Sequence, residues 1–303
     1  ALSAKPIYWD FRFSNLCNFR CRICGPWSSS RWVDDAKALG DLPADAPKVT
    51  HAINNPSQLL TDLEEAIPHL KEIYFAGGEP LIMDEHYQIL DLLAKHNKYD
   101  VFLRYSTNFS IFEYKGRSIF EIWKKFKKVK VNASLDDSHE RGMYQRKEQV
   151  WEEVEKNRRQ MMKICPKVEF KINPMINVFN AWHLPDFHKE WVKKGLIEPH
   201  NLWPGIVEQP EIYNVKILPP ELKWEIATKY HDHAKWLRSR LSVKWFINRA
   251  LAREFENCVK YMHSEDWSHL IPDFVTRTND LDKLRDESIT KIFPELEPLF
   301  SDY

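Results

Sequence analysis

Three cysteines near the start of the chain have a spacing that suits an iron–sulfur cluster. Cys17, Cys21 and Cys24 are separated by three and then two residues, and they follow a strand-like segment at residues 7–14. Three closely spaced thiolates can hold three irons of a four-iron cluster and leave the fourth iron open. An open iron can bind a substrate or a cofactor. The spacing therefore predicts a catalytic [4Fe–4S] site with these three cysteines as its ligands.

Two other uses of these cysteines have less support in the sequence. A structural zinc site usually takes four ligands in paired short spacings, and no second cysteine pair follows, although a remote histidine could complete such a site. Disulfide bonds need an oxidising compartment, whereas the chain has five cysteines, an odd number, and shows no secretory-signal pattern. We therefore favour the iron–sulfur interpretation.

A glycine-rich motif, Ala-Gly-Gly-Glu-Pro, follows the second predicted strand at residues 76–80. Gly77 and Gly78 let the backbone approach a ligand closely and present free N–H and C=O groups. The Glu79 carboxylate can accept a hydrogen bond from an ammonium group, and Pro80 fixes the turn out of the strand. Taken alone, the motif also fits an ordinary strand-to-helix turn.

Together, the three cysteines and the Gly-Gly-Glu-Pro motif resemble those of the radical S-adenosylmethionine (SAM) superfamily. The resemblance covers roughly residues 7–210. It implies that a [4Fe–4S] cluster cleaves SAM reductively to a 5′-deoxyadenosyl radical, which abstracts hydrogen from a polar substrate. It also implies that residues 77–80 bind the amino group of SAM.

Further positions match the same family and imply further cofactor contacts. The resemblance places Ile23 against the adenine and Arg146 on the cofactor carboxylate, a task that suits a guanidinium because it can donate two hydrogen bonds at once. Serine, asparagine and aspartate are also common turn and helix-cap residues at strand ends. The remaining implied contacts are Ser106 and Asn108 at the methionyl part and ribose, Ser134 and Asp136 at the ribose hydroxyls, and Asn173 and Met175 near the adenine.

The residues in and around these motifs are similar to those in the branch of the superfamily that carries a twitch or SPASM-type extension. Such extensions bind auxiliary clusters through further cysteines. Only Cys165 and Cys258 remain in this sequence, too few for a four-cysteine site. Either the extension has lost its cluster, or the relevant cysteines lie outside this sequence. We expect both remaining cysteines to be core residues.

The order of the predicted elements indicates an α/β fold. Strand-like and helix-like segments alternate up to about residue 210, which favours parallel strands joined by right-handed crossovers. We predict a partial (β/α)6 barrel at residues 1–210, with its functional edge at the carboxyl ends of the strands, and a mainly helical extension at residues 211–303. The predicted strands are residues 7–14, 72–76, 101–106, 129–135, 168–173 and 202–207, and the helices of the extension are residues 221–233, 234–242, 244–261 and 280–292.

The predicted strands alternate between polar and apolar side chains. Because helices should cover the apolar face, we expect the polar face to line a hydrated lumen that takes a polar ligand. The same charges could instead pair with one another as salt bridges. The candidate substrate contacts on this face are Asp10, Arg12, Arg104, Lys130 and Lys171, with Glu169 beside them, and His183 is a weaker candidate beyond the fifth strand.

The composition describes a globular chain with balanced charge. Its 303 residues include 44 lysines and arginines and 44 aspartates and glutamates, which does not favour a nucleic-acid partner. A lysine run at residues 124–130 is interpreted as a solvated helix end. No segment reaches the length of about 18 apolar residues that a membrane helix needs. We therefore expect no membrane partner, and we expect a cytoplasmic protein because exposed thiolates are suited to a reducing compartment.

The resemblance implies a reductant protein such as flavodoxin or ferredoxin and leaves the substrate open. The branch is rich in peptide-modifying enzymes, so a peptide or protein side chain is one hypothesis, and a small polar metabolite or nucleoside is another. A third hypothesis is a binding or regulatory protein that holds a cluster without turnover. The presence of Glu79, Ser134, Asp136 and Arg146 argues against that third hypothesis, because a purely structural cluster does not need a cofactor pocket.

Overall fold

A sheet of five parallel strands organises the first part of the chain. The computed structural model describes residues 6–53, 55–240 and 244–301. Spatial order follows chain order, so each neighbouring pair is joined by a crossover, and the predicted α/β class with a partial barrel is confirmed. The strands are β1 (Tyr8–Phe11), β2 (Glu72–Phe75), β3 (Phe102–Thr107), β4 (Lys128–Ala133) and β5 (Glu169–Ile172).

The register of the sheet sorts side chains into polar and apolar rows. Phe11, Phe75, Tyr105 and Val131 are aligned across β1 to β4, and all four are buried. One residue back, the row on the opposite face holds Asp10, Tyr74, Arg104 and Lys130. Successive residues of a strand point to opposite faces, so the alternation in the sequence becomes one apolar and one polar face.

Helices fill the connections between strands and form most of the chain beyond β5. A parallel pair of two-residue strands, β6 (Met175–Ile176) and β7 (Gly205–Ile206), takes the place of the predicted sixth strand. Other two-residue strands are Arg20–Cys21, Glu113–Tyr114, Arg117–Ser118 and Arg146–Lys147. The helices are α1 (Trp32–Ala38), α2 (Pro56–Ala66), α3 (Asp84–Lys95), α4 (Ile119–Trp123), α5 (His139–Gln145), α6 (Trp151–Ile164), α7 (Leu184–Lys193), α8 (Pro220–Ser239), α9 (Trp245–Met262), α10 (Ile271–Arg285) and α11 (Ile289–Ile292).

The chain divides into two compact units by its internal contacts. The first comprises Ala1–Ser134 and Glu148–Lys171, and the second comprises Leu135–Lys147 and Ile172–Tyr303. The second unit is mainly helical. The sequence suggests a different boundary, near residue 210, between the partial barrel and the helical extension. That boundary is based on the expected roles of the two parts and not on their internal contacts, and it stays a prediction.

Two helix predictions for the extension were wrong in their boundaries. Residues 221–233 and the start of 234–242 form the single helix α8, because no glycine or proline interrupts this stretch; the end of the second predicted helix lies outside the described residues. The predicted helix 280–292 is instead the end of α10 followed by α11. Asp286 separates them with a left-handed φ of 53°, which stops the helix.

Among the described residues, no helix combines the length and the apolar character that a membrane span requires.

Candidate active site

The three cysteines lie in one loop between β1 and α1. Cys21 is buried, Cys17 and Cys24 are half-buried, and all three carry free thiols. Burial, and after it repulsion from a thiolate at Cys21, raises the pKa of Cys17 to about 12, against the Phe19 N–H, which lowers it; Glu79 and Cys24 contribute smaller effects. The thiols therefore share one electrostatic neighbourhood. Binding to a metal cluster as thiolates would remove the repulsion between them.

Cysteine thiolates are the ligands that hold an iron–sulfur cluster, and three of them lie in this loop. Within the described ranges, no group of three or more histidine, cysteine or acidic side chains is placed to hold one metal ion. A four-iron cluster spreads its cysteine ligands around a larger body.

Side chains that the sequence analysis missed hold the cysteine loop in place. Trp32 is buried at the start of α1, and its Nε1 donates to the carbonyl oxygen of Cys21 at 2.6 Å. The Cys17 N–H donates to Ser30 Oγ at 3.3 Å, and Ser29 Oγ donates to the carbonyl oxygen of Phe19 at 2.5 Å. The spacing of the cysteines does not predict these hydrogen bonds, because each of them joins a side chain to a backbone group of the loop.

The Gly-Gly-Glu-Pro motif turns the chain beside the cysteine loop. The N–H of Glu79 donates to the carbonyl oxygen of Leu16 at 2.8 Å, one residue before Cys17. Gly78 has a φ of +24°, and a Cβ at this position would lie 2.1 Å from the same oxygen. The close approach and the positive φ both require glycine. The sequence predicts that the backbone approaches a ligand closely at this motif. In the structure, the group that it approaches is the carbonyl of Leu16 in the protein itself.

The Glu79 side chain is fully buried and already satisfied by the protein. Its Oε1 accepts from Thr107 Oγ1 at 2.8 Å and from the Leu81 N–H at 3.1 Å, and its Oε2 accepts from the Asn108 N–H at 2.7 Å. Burial raises the pKa of Glu79 to about 7, against the opposing effect of these donors. The carboxylate thus connects the motif to the end of β3. The backbone carbonyls of Gly77 and Gly78 are then the better candidate acceptors for an ammonium group.

Asn108 connects the end of β3 to the cysteine loop. Its Nδ2 donates to Asn18 Oδ1 at 2.8 Å and lies 4.0 Å from Cys17 Sγ. Its Oδ1 accepts from Ser110 Oγ at 2.5 Å, and the Asn18 side chain donates to the same hydroxyl at 3.0 Å. The structure therefore places Asn108 beside a cluster cysteine, and its side-chain amide is engaged there.

Three other predicted cofactor contacts of the first unit are partly accessible. Ser106 Oγ lies 2.6 Å from the Tyr74 hydroxyl, and the Ser134 N–H donates to the Thr107 carbonyl at 2.8 Å. Ile23 is half-buried, like both serines, whereas Pro80 is buried. The structure thus brings the cysteines, the glycine motif and Asn108 together, with the two serines at the carboxyl ends of β3 and β4.

In the second unit, Asp136 and Arg146 form a buried ion pair. Arg146 Nε lies 2.8 Å from Asp136 Oδ2, with side chains 9% and 1% exposed. Asp136 Oδ1 accepts from the Met175 N–H at 2.9 Å. The sequence analysis assigned Asp136 and Arg146 to different parts of the cofactor. The structure makes them partners, so any hydrogen bond to a ligand would be additional to this pair.

Asn173 carries an unsatisfied acceptor. Its Nδ2 donates to the Trp203 carbonyl at 3.2 Å, whereas its buried Oδ1 has no hydrogen-bond partner among the described residues. A buried acceptor without a donor is costly, so it points to a ligand that donates. Met175 packs on the neighbouring strand at Gly205, where a Cβ would lie 2.8 Å from its sulfur. An exocyclic amino group such as that of adenine would fit the free oxygen of Asn173.

Comparison with known families decides the identity. The family model described as Radical SAM superfamily matches residues 11–190, more than half of the chain. The chain belongs to the radical SAM superfamily. Members of this superfamily use a [4Fe–4S] cluster and SAM, so the predicted cofactors are confirmed for the family. Membership of the twitch or SPASM-type branch stays a prediction.

Solved structures support the fold. The structure described as native anSMEcpe with bound AdoMet and Cp18Cys peptide matches with a TM-score of 0.51 and 17% identity, covering 76% of this chain and 59% of that one. Native anSMEcpe with bound AdoMet matches with a TM-score of 0.50 and 19% identity, covering 75% and 58%. The radical SAM chain therefore spans less than two thirds of the length of these structures. No curated protein matches it.

The predicted substrate-contact residues of this radical SAM protein differ in whether an ion-pair partner neutralises the charge of their side chains. Arg12 pairs with Asp10 at 3.2 Å, and Arg104 pairs with Glu72 at 2.8 Å. The alternative of salt bridges on the polar face thus holds for these two arginines. Lys130 has no ion pair among the described residues, and burial, with the charges of Lys171 and Arg104, lowers its pKa. The Glu169 carboxylate acts in the opposite direction, so Lys130 is near charges of both signs.

Other residues singled out from the sequence have structural roles in the radical SAM chain. Cys165 and Cys258 are buried, as expected for core thiols. His183 Nε2 lies 2.8 Å from Glu295 Oε1, and both side chains are mostly buried. His183 is therefore held by a carboxylate of the extension.

Proposed function

We propose that this protein is a radical SAM enzyme that abstracts hydrogen from a polar substrate, and that a peptide or protein side chain is the first substrate class to test. The observation that carries the proposal is the cysteine loop bound to the Gly-Gly-Glu-Pro turn through the Leu16 carbonyl and to β3 through Asn108. When bound, the [4Fe–4S] cluster and SAM supply the one-electron cleavage that yields a 5′-deoxyadenosyl radical.

The chain's own residues have the following roles in this proposal. Cys17, Cys21 and Cys24 ligate the cluster. The carbonyls of Gly77 and Gly78 accept hydrogen bonds from the ammonium group of SAM. Glu79 holds the turn in place through its hydrogen bonds to Thr107 and Asn108. The orienting residues are Ile23, Pro80, Ser106, Asn108, Ser134, Asp136, Arg146, Asn173 and Met175, which fix the rest of the cofactor and exclude water.

The polar face of the sheet supports a polar substrate with an anionic group. Lys130 offers an ammonium group without an ion-pair partner in the described part of the chain. Asp10, Arg12, Arg104 and Lys171 would then act as flanking contacts. Peptides come first because a structurally similar chain is described with a bound peptide. A small polar metabolite or a nucleoside remains the alternative substrate.

Partners and organisation complete the proposal. We propose a flavodoxin or ferredoxin as the electron donor, and the reducing cytoplasm as the compartment because the free thiols need it. Residues 1–210 would form the partial barrel, and residues 211–303 would form the helical extension.

Anaerobic reconstitution tests the proposal. The protein is loaded with iron and sulfide, reduced, and incubated with SAM, and 5′-deoxyadenosine and iron are then quantified. We expect about four irons per chain and formation of 5′-deoxyadenosine. Bound zinc without iron would overturn the proposal, and iron without 5′-deoxyadenosine would favour a cluster-binding protein without turnover.

Two matched substitutions sharpen the test. Cys21→Ser should abolish iron binding and SAM cleavage with the fold retained, because a serine hydroxyl is a poor iron ligand. Cys258→Ser removes another buried thiol and should leave both unchanged. Equal loss of iron in the two variants would show that the cysteine loop is not the cluster site.

A further inference from the structure

A basic stretch without carboxylates lies where α8 and α9 meet. Residues 233–253 contain six lysines and arginines and no aspartate or glutamate, although the whole chain has equal numbers of both signs. Two of the six cations are neutralised: Lys235 pairs with Asp232 and Arg238 with Glu256. The other four, which form no ion pair among the described residues, are Arg240, Lys244, Arg249 and Arg253.

Large aromatic side chains accompany these cations. Trp245 and Phe246, in the first turn of α9, are 54% and 58% exposed. The Arg249 guanidinium lies 4.9 Å from the centroid of Trp245. At the end of α8, the guanidinium of Arg240 lies 4.7 Å from the ring of Trp236 in the same i, i+4 relation. We call Trp236, Arg240, Lys244, Trp245, Phe246 and Arg249 the aromatic–basic tip.

We propose that the aromatic–basic tip binds peripherally to the surface of an anionic lipid bilayer. Tryptophan is favoured at the boundary between headgroups and acyl chains, where its ring is apolar and its N–H remains hydrated. Helices that lie on membranes combine such rings with lysine and arginine. Each cation near an anionic bilayer strengthens binding about fivefold. The tip has both components on the end of one helical hairpin.

A bilayer explains the geometry better than a nucleic acid does. Proteins that bind single strands combine aromatic stacking platforms with a positively charged groove. Here one face of Trp236 and one face of Trp245 are each taken by an arginine. Phe246, next to Trp245, is exposed at the hairpin end, where a flat surface can reach it. The sequence prediction of no membrane partner considered spanning segments, and surface binding of this kind would revise it.

Vesicle co-sedimentation of the full chain tests the proposal. The probes are vesicles of phosphatidylcholine alone and vesicles in which roughly three lipids in ten are phosphatidylglycerol. We expect binding to the anionic vesicles only, and weakening as salt is raised because surface electrostatics are screened. Equal binding to both vesicles, or no binding to either, would overturn the proposal. Competition by millimolar inorganic phosphate at constant ionic strength would do so as well, since it would indicate a site for free anions.

Variants on the same hairpin distinguish vesicle binding by the aromatic–basic tip from non-specific binding by any exposed aromatic side chain. Trp245→Ala combined with Phe246→Ala, and Lys244→Gln combined with Arg249→Gln, should each lower vesicle binding at least tenfold without changing thermal stability, because these side chains are exposed. Trp224→Ala is the matched control: Trp224 is 69% exposed and lies 12 residues before Trp236, about 18 Å along α8. It should bind like the unsubstituted protein. Equal loss in the control, or tighter binding to a short single-stranded RNA or an acidic peptide than to anionic vesicles, would overturn the proposal.

Discussion

Arg146 Nε lies 2.8 Å from Asp136 Oδ2, and both side chains are buried. Nine residues of the chain lie between them, including the whole of α5. The pair fixes the start and the end of this segment to each other, and Asp136 also accepts from the N–H of Met175. A buried ion pair therefore holds together the two ends of the segment that follows β4. From the motif pattern alone, both residues of this pair are expected to contact a ligand.

Removing one member of this pair should be costly. Arg146→Ala leaves the Asp136 carboxylate buried without its cation, and we expect a loss of about 3–5 kcal/mol in the free energy of unfolding. The control is Arg12→Ala, which breaks the exposed Arg12–Asp10 pair and should cost less than about 1 kcal/mol. Chemical denaturation of both variants measures the difference. Similar losses would mean that the buried pair contributes no more than a surface one.

Gly78 should not tolerate a side chain. Gly78→Ala places a Cβ 2.1 Å from the Leu16 carbonyl oxygen, so the turn must move away from the cysteine loop. We expect a loss of about 3 kcal/mol and reduced iron retention after reconstitution. Gly40→Ala has a positive φ of 78° but open space around it, and should cost about 1–2 kcal/mol with iron retained. Thermal melting and iron content distinguish steric conflict from backbone strain alone.

The Trp32 indole should be needed to keep the cysteine loop in place. Trp32→Phe keeps most of the buried ring but removes the donor to the Cys21 carbonyl, and we expect a loss of about 1–3 kcal/mol. Trp27→Phe alters a tryptophan of the same loop that is 72% exposed, and should change stability by less than about 0.5 kcal/mol. Amide hydrogen exchange across residues 17–24 should be faster in the Trp32 variant only. Unchanged exchange in that variant would assign the loop's order to its other contacts.

Stability should fall in mild acid because histidines are buried in the neutral form. Burial lowers the pKa of His86 from about 6.5 to about 3, so the unfolded chain binds a proton between these values and the folded chain does not. The free energy of unfolding is therefore highest above pH 6.5 and decreases as pH falls towards 3, by about 1.4 kcal/mol per pH unit for this group. Buried His188 should behave in the same way.

A substitution isolates the contribution of His86. In His86→Phe, the slope of unfolding free energy against pH between about 6 and 4 should decrease by roughly 1.4 kcal/mol per unit, whatever the offset from the lost Tyr105 hydrogen bond. Urea unfolding at several pH values gives these slopes, and an unchanged slope in His86→Phe would show that this histidine is not the group that titrates.

Most of the strand framework could be predicted from the sequence, because period-two alternation is a local property. The predicted strand at residues 101–106 is Phe102–Thr107 in the structure, and that at 129–135 is Lys128–Ala133. Helix ends were less predictable where no local stop signal exists, as in α8. The left-handed Asp286 ended a helix that the apolar pattern would have continued.

The sequence by itself determined the chemistry that the site can carry. The cysteine spacing and the Gly-Gly-Glu-Pro motif are each contiguous, so their meaning does not depend on distant residues. Only the tertiary structure decided how side chains are used. Glu79 meets Thr107 and Asn108, and Arg146 meets Asp136, because strand register and burial bring them together. A buried polar group takes whichever partner the fold places within hydrogen-bond distance, and residue type alone does not specify that partner.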